Sequence, residues 1–199
     1  MSHPERSLER DTAIEAMLPH VPFDGWTRKA LARGVADAGM PADEADLLFP
    51  LGVADMVATF CDWADRRMES AALELEETRL SRRVKAVIAM RFQQNRAYKE
   101  AIRRAIGVLA LPGNARVALA CTARTVDAIW YAAGDRSADF SWYTKRAILS
   151  AVYSATVLFW LRDRSEDDAD TMAFLDRRLA GVARIGRLKP PFLSRLAPA

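Results

Sequence analysis

The side chains able to do chemistry in this chain are few and scattered. His3 and His20 are the only histidines, one near the start and one between Pro19 and Pro22. Neither stands at a spacing that, with cysteine or carboxylate, would hold zinc. No Glu-x-x-His pair would place two di-iron ligands on one helix face. Glycine-rich phosphate loops and a Gly-x-Ser-x-Gly elbow are also missing. Glu74, Glu76 and Glu77 crowd together but read most simply as a solvated helix end. Cys61 and Cys121 lie far apart in apolar helical surroundings, the pattern of two buried, reduced thiols rather than of a disulfide or a metal site. This inventory predicts a protein with no catalytic centre, no metal and no cofactor.

What the chain does carry is recognition chemistry. From Ala128 to Arg146 it reads Ala-Ile-Trp-Tyr-Ala-Ala-Gly-Asp-Arg-Ser-Ala-Asp-Phe-Ser-Trp-Tyr-Thr-Lys-Arg. A helix carrying Ile129, Trp130 and Tyr131 ends at Gly134, which suits the left-handed position after a helix C-terminus. Asp139 or Ser141 can cap the next helix. Trp142 and Tyr143 then fall on a first turn, where few preceding neighbours can bury them. Large aromatics in such a place either fold back as core or anchor a partner. Asp135, Asp139, Lys145 and Arg146 would form the polar rim, or simply cap the two helices.

Helical periodicity runs through the rest of the chain, and no alternating strand pattern of convincing length appears. Nine helices are expected. The first covers Glu5 to Leu18 and is broken by Pro19 and Pro22. The second starts at Trp26-Thr27, with Thr27 as cap, and ends at Gly39. The third runs from Pro41 to Phe49. A long fourth helix runs from Gly52 to Glu77, a fifth from Leu80 to Gln94, and a sixth from Arg96 to Ala110. Leu111-Pro112-Gly113 breaks the sixth, and Asn114 would cap a seventh that ends at Gly134. The eighth covers Trp142 to Arg162, and the ninth Asp167 to Ile185. Length and composition suit one helical domain: 199 residues, half of them hydrophobic, 28% charged, net charge +3. Residues 1–50 form a helix-turn-helix subdomain, 51–186 a helical body and 187–199 a proline-containing tail. No uncharged apolar run is long enough to span a bilayer. The mixed charges of Glu5, Arg6, Glu9, Arg10 and Asp11 fit neither a signal peptide nor a transit peptide, so a cytoplasmic location is expected.

The helix-turn-helix carries the wrong charge for DNA. Its second helix holds Asp43, Glu44 and Asp46, and no Lys or Arg occurs from Gly34 to Asp65. Cations facing phosphates supply most of the non-specific affinity for DNA, and carboxylates repel it. Base-reading Arg, Asn or Gln is missing from that helix. DNA contact would have to come from Arg28, Lys29 and Arg33. In the body, Ile148, Val152, Ala155, Thr156 and Phe159 share one face of the eighth helix, with Phe60, Trp63, Met90, Leu119 and Val126 as facing candidates. Small residues beside large ones leave room, and Met adapts to irregular shapes. By spacing alone these read equally as an ordinary helical core.

The run from Gly134 to Arg146 resembles, nearly residue for residue, the signature of the COQ-nine family, the lipid-binding accessory proteins of ubiquinone biosynthesis. Gly25-Trp26-Thr27, Leu111-Pro112-Gly113-Asn114 and Phe174-Leu175 match in order, and the likeness extends from about Leu8 to about Gly186. The resemblance implies an all-α, TetR-like bundle with a degenerate helix-turn-helix that no longer reads nucleic acid. It implies an isoprenoid lipid or ubiquinone intermediate bound among Phe60, Trp63, Met90, Leu119, Val126, Val152, Thr156 and Phe159. It also implies a di-iron ubiquinone-pathway hydroxylase as partner, met first by Trp142 and Tyr143 with Asp135, Asp139 and Arg146 around them. Homodimers and peripheral contact with the inner face of the membrane belong to the same family picture. The chain departs from it after Gly186: only Leu188, Phe192, Leu193 and Leu196 with Arg187, Lys189 and Arg195 remain, interrupted by prolines, where the family has an amphipathic helix. The alternative on the same pattern is a TetR-type transcriptional regulator with a small-molecule pocket.

Overall fold

The computed structural model describes residues 4–41, 44–135 and 141–187; of Ser141 and residues 182–187 only the backbone is described. Asp139, Asp43 and the tail 188–199 therefore lie outside the described residues. The described residues are all-α, in ten helices: α1 Leu8–Met17, α2 Val21–Asp24, α3 Arg28–Asp37, α4 Glu44–Leu48, α5 Val53–Ala71, α6 Leu80–Gln94, α7 Lys99–Leu109, α8 Ala115–Ala132, α9 Ser141–Trp160 and α10 Ala169–Arg187. The helix beyond the expected nine is α2. Pro22 does not only break the chain there. It sits in the first turn of α2, where its missing N–H would have found no partner anyway.

Local chemistry sets the boundaries. Ser7 Oγ accepts from Arg10 N at 3.2 Å, so α1 starts at Leu8 rather than Glu5. Thr27 Oγ1 caps α3 by accepting from Ala30 N at 3.2 Å, as expected. Gly39 follows α3 with φ of +69°, and its own N–H and that of Met40 close onto Ala36 and Val35 carbonyls. Asn114 corrects the expectation: its side chain does not cap α8. Its Nδ2 instead donates back to the Val108 carbonyl at 2.8 Å, tying the end of α7. α5 stops at Ala71, well before Glu77, because a guanidinium takes up the carbonyls of the following turn, as described below.

Contacts divide the chain into two compact units, residues 1–139 and 140–199. The first holds α1 to α8. Its core runs from Ile14, Met17, Leu31 and Val35 through Met56, Val57, Phe60 and Trp63 to Ala101 and Ala105. α1 and α3 cross so closely at Gly34 that an added Cβ would lie 2.5 Å from Met17 N. Arg10 pins α4 and α5 to α1. Its buried guanidinium donates to the Leu48 carbonyl, to Asp55 at 2.8 Å and to Thr59 at 2.9 Å, and lies 4.4 Å from the Phe49 ring centre. The second unit packs α9 on α10, where Phe159 and Phe174 stack 4.5 Å apart. Asp163 leads into α10 by accepting from Thr171 N at 2.8 Å. Burial opposes that charge, but hydrogen bonds from Ser165 and Thr171 hold the carboxyl below the usual range.

Candidate functional site

The end of α8 is built as a fixed terminus. Gly134 has φ of +84°. Its N–H reaches the Tyr131 carbonyl at 2.9 Å and the Asp135 N–H reaches the Trp130 carbonyl at 3.0 Å. This pair of bonds is the Schellman closure that glycine permits. Arg83, from the first turn of α6, holds the terminus from the other side. Its Nε donates to the Ala132 carbonyl at 3.0 Å. Its other nitrogens donate to the carbonyls of Leu75 at 2.7 Å, Glu77 at 3.1 Å and Ala72 at 2.9 Å. One side chain thus ties the turn after α5 to the last turn of α8. Tyr131 projects into solvent, 77% exposed, and Asp135 is half-buried.

In the second unit, Trp142 and Tyr143 open α9 as an aromatic corner. Their rings meet edge to face, 4.7 Å between centres and 78° between planes. Arg146, one turn on, lies 3.8 Å from the centre of the Trp142 ring, a cation–π contact. Tyr143 is 74% exposed and Trp142 half-buried. Neither is fully enclosed. Asp139 and the Ser141 side chain, the two expected caps, fall outside what is described.

The expected lipid-lining residues have varied surroundings. Phe60 and Trp63 join Trp26 and Tyr98 in an aromatic ladder with centre-to-centre distances of 5.5, 6.0 and 6.2 Å, locked by Trp26 Nε1 donating to the Ala101 carbonyl at 2.9 Å. Val126 is buried and Met90 half-buried. Leu119 faces outward, 68% exposed. In the second unit Val152 and Thr156 are buried, with Thr156 Oγ1 donating to the Val152 carbonyl at 2.7 Å, and Phe159 stacks on Phe174.

Open volume in the first unit lies along α5 and α8. A groove of about 570 Å³ is lined by Pro50, Leu51, Ala54, Ala58, Val117 and Ala120, with Arg10, Arg116 and Arg124 among its charged neighbours. A second, of about 320 Å³, is lined by Asp62, Asp65, Glu69, Arg124, Asp127 and Tyr131. Arg124 borders both, and none of the eight expected lining residues borders either. The two helices run parallel, since their N-terminal turns share the first groove and their C-terminal turns the second. Sequence reasoning missed the polar floor between them. Arg91 of α6 and Asp65 of α5 form a buried ion pair at 2.6 Å, and Thr125 of α8 donates to the same carboxylate at 3.1 Å. Burial nevertheless pushes the Asp65 carboxyl up to about 6, against the pull of Arg91 and Thr125. A charged residue inside each apolar run, Asp65 after Trp63-Ala64 and Arg91 after Met90, was the available signal. Next to this pair, Asp62 takes two bonds from Arg6 at 2.9 and 2.7 Å, and Arg66 bridges Asp62 at 3.0 Å to Asp11 at 2.7 Å.

In the helix-turn-helix formed by α3 and α4, the three cations of α3 each pair with a carboxylate. Arg28 pairs with Asp46, and Lys29 and Arg33 both bind Asp24, at 2.8 and 2.6 Å. Lys29 beside Asp24 holds its carboxyl below the ordinary carboxylate range.

Ten helices among the described residues, with α3 and α4 as a helix-turn-helix, define a TetR-like fold. The chain is similar to the TetR transcriptional regulator from Nitrosomonas europaea, with a TM-score of 0.69 over 89% of this chain and 99% of that one, at 23% identity. That likeness shows the fold alone. The profile of the COQ9 family matches residues 115–186. The ubiquinone biosynthesis protein coq9, mitochondrial, of Schizosaccharomyces pombe is 35% identical over 179 residues, covering 88% of this chain and 70% of that protein. The human protein of that name is 31% identical over 182 residues, and the rat protein likewise. The chain belongs to the COQ9 family. It spans 57% of the human and 58% of the rat protein's length.

Proposed function

We propose that this chain is a non-catalytic lipid-binding accessory protein of ubiquinone biosynthesis that presents a polyprenylated intermediate to a di-iron hydroxylase. The observation that carries this reading is the corner of Trp142, Tyr143 and Arg146 at the start of α9, inside the stretch that matches the family profile. A ring edge-packed by Tyr143 and overlaid by a guanidinium is rigid, and rigid aromatics with arginine dominate binding hot spots. Arg146 supplies charge beside it, which sets register and on-rate more than affinity, and Asp135 and Asp139 stay proposed partner contacts by their place in the sequence.

The lipid side of the reading is supported by the open groove along α5 and α8, whose apolar part is Pro50, Leu51, Ala54, Ala58, Val117 and Ala120, and by the exposed Leu119. An isoprenoid tail laid on such surface gains about 0.8 kcal/mol per methylene removed from water. Phe60, Trp63, Met90 and Val126 of the first unit, and Val152, Thr156 and Phe159 of the second, stay on the list of proposed tail contacts. In functional terms residues 1–50 are a degenerate helix-turn-helix subdomain, 51–186 the lipid-binding body and 187–199 a tail for transient membrane contact. The chain would act in the cytoplasm at the inner membrane face, as a homodimer in the family manner, without binding nucleic acid. No single helix among the described residues is long and apolar enough to cross a membrane. The test is association with the hydroxylase of the same cells, measured by co-purification. Wild-type chain should retain the hydroxylase and Trp142→Lys should lose it while keeping its helical circular dichroism. Equal retention by both would remove the corner from the account.

A further inference from the structure

Cys61 and Cys121 are 60 residues apart in sequence, but the register of α5 against α8 brings them together. The helices run parallel, and Asp65 of one receives a hydrogen bond from Thr125 of the other at 3.1 Å. Cys61 stands four residues before Asp65 and Cys121 four residues before Thr125. One helical turn back on two parallel neighbours, the thiols must face each other. Each thiol is the first influence on the other's acidity, as that register requires. Both are free thiols in this structure, Cys121 buried and Cys61 partly so.

We infer that Cys61 and Cys121 form a dithiol that a hydroperoxide oxidises to an intrachain disulfide between α5 and α8. Their surroundings divide the labour. Arg124 Nη2 donates to Cys121 Sγ at 3.3 Å. The neighbouring Cys61 and the Arg124 charge favour the Cys121 thiolate and lower its pKa, despite burial. The neighbouring Cys121, together with burial, pushes the Cys61 thiol up and keeps it protonated. Low-pKa thiolates beside a resolving thiol are the ones that oxidise selectively. Cys61 is partly exposed, and Arg124, bonded to Cys121, borders both open grooves.

The electrons balance as follows. The Cys121 thiolate attacks one peroxide oxygen and the O–O bond breaks. Cys121 becomes a sulfenic acid, and the departing hydroxide takes a proton and leaves as water. Cys61 sulfur then attacks the sulfenic sulfur, the S–O bond breaks, and the hydroxide released carries off the Cys61 proton as a second water. Two thiols lose two electrons and one hydrogen peroxide becomes two waters. A disulfide also needs Cα atoms within about 7 Å, a separation that neighbouring helices with facing thiols can supply.

The test treats the full reduced chain with hydrogen peroxide under native conditions, then maps peptides, because the seven methionines also gain oxygen. The expected product joins the Cys61 and Cys121 peptides within one chain and vanishes on reduction. Cys61→Ser should stall as a sulfenic acid on Cys121, trapped by dimedone. Cys121→Ser should react with peroxide at least tenfold more slowly at Cys61. The oxidised wild-type chain should melt at a higher temperature than the reduced chain, and neither variant should show that rise. Two thiols that both stay titratable after peroxide, or a disulfide found only between chains, would overturn the inference.

Discussion

Arg146 lies 3.8 Å from the centre of the Trp142 ring, one helical turn along α9. The guanidinium covers the indole, which Tyr143 packs edge to face. A partly exposed cation–π contact of this kind contributes about 0.5–1 kcal/mol. Arg146→Ala should therefore loosen the corner and weaken hydroxylase association by roughly two- to fivefold. Trp142→Lys should weaken it far more. Equilibrium binding of purified proteins separates the two, and equal losses would mean that Arg146 meets the partner directly rather than through the ring.

Arg83 makes a prediction about the other end of the same sequence stretch. It satisfies four carbonyls at the ends of α5 and α8. Arg83→Met should cost about 2–3 kcal/mol, since hydrogen bonds from a charged donor are worth about 1.5–3 kcal/mol and the freed carbonyls recover only part of this from water. Urea unfolding should show a lower midpoint with an unchanged m-value.

Two glycines should respond oppositely to alanine. Gly34 sits where α3 meets the backbone of α1, and a Cβ there lies 2.5 Å from Met17 N. Because backbone cannot step aside, Gly34→Ala should destabilise by about 3 kcal/mol, the upper part of the overpacking range. Gly107, exposed on α7 with nothing within 4 Å of a built Cβ, should gain about 0.5–1 kcal/mol from helix propensity. Thermal melts of the two variants decide this, and similar shifts in both would contradict the close crossing of α1 and α3.

Stability should depend on pH through Asp65. Its folded carboxyl titrates near 6 against an ordinary 3.8, so the folded chain binds the extra proton. Its contribution is full below about 3.8 and is lost as pH rises through about 6. A shift of this size corresponds to on the order of 3 kcal/mol. Asp163, held below the usual range by Ser165 and Thr171, works the other way: its contribution is present above about 3.8 and lost as pH falls further. Unfolding free energy measured from pH 7 down to pH 2 should thus rise to about pH 4 and fall below it. Asp65→Asn should flatten the upper limb while lowering stability at pH 7, because Arg91 is left without its partner. An unchanged limb in that variant would show that another group titrates.

The helix plan was legible because local signals agreed with the packing. Thr27 caps α3, Gly39 and Gly134 take positive φ where α3 and α8 end, and α6 runs from Leu80 to Gln94 as its apolar spacing predicts. α2 was not, because Pro22 signals a break and a helix start with the same residue. The corner at Trp142 was legible from residue type and place. What could not be read was register between helices distant in sequence. The meeting of Cys61 with Cys121, the Asp65–Arg91 pair and the pairing of Lys29 and Arg33 with Asp24 all depend on how one helix slides against another, and no local pattern encodes that. The capping role expected of Asn114 failed for a related reason, since Val108 of the preceding helix competes for its amide.

The central claim is that the chain carries a lipid. Native mass spectrometry of protein purified from ubiquinone-producing cells, with extraction of the bound material, tests it most directly. The account predicts a mass increment that releases an isoprenoid lipid on extraction, with stoichiometry near one per chain. Protein that arrives bare from such cells, and takes up no polyprenyl quinone when offered it in detergent, would contradict the account.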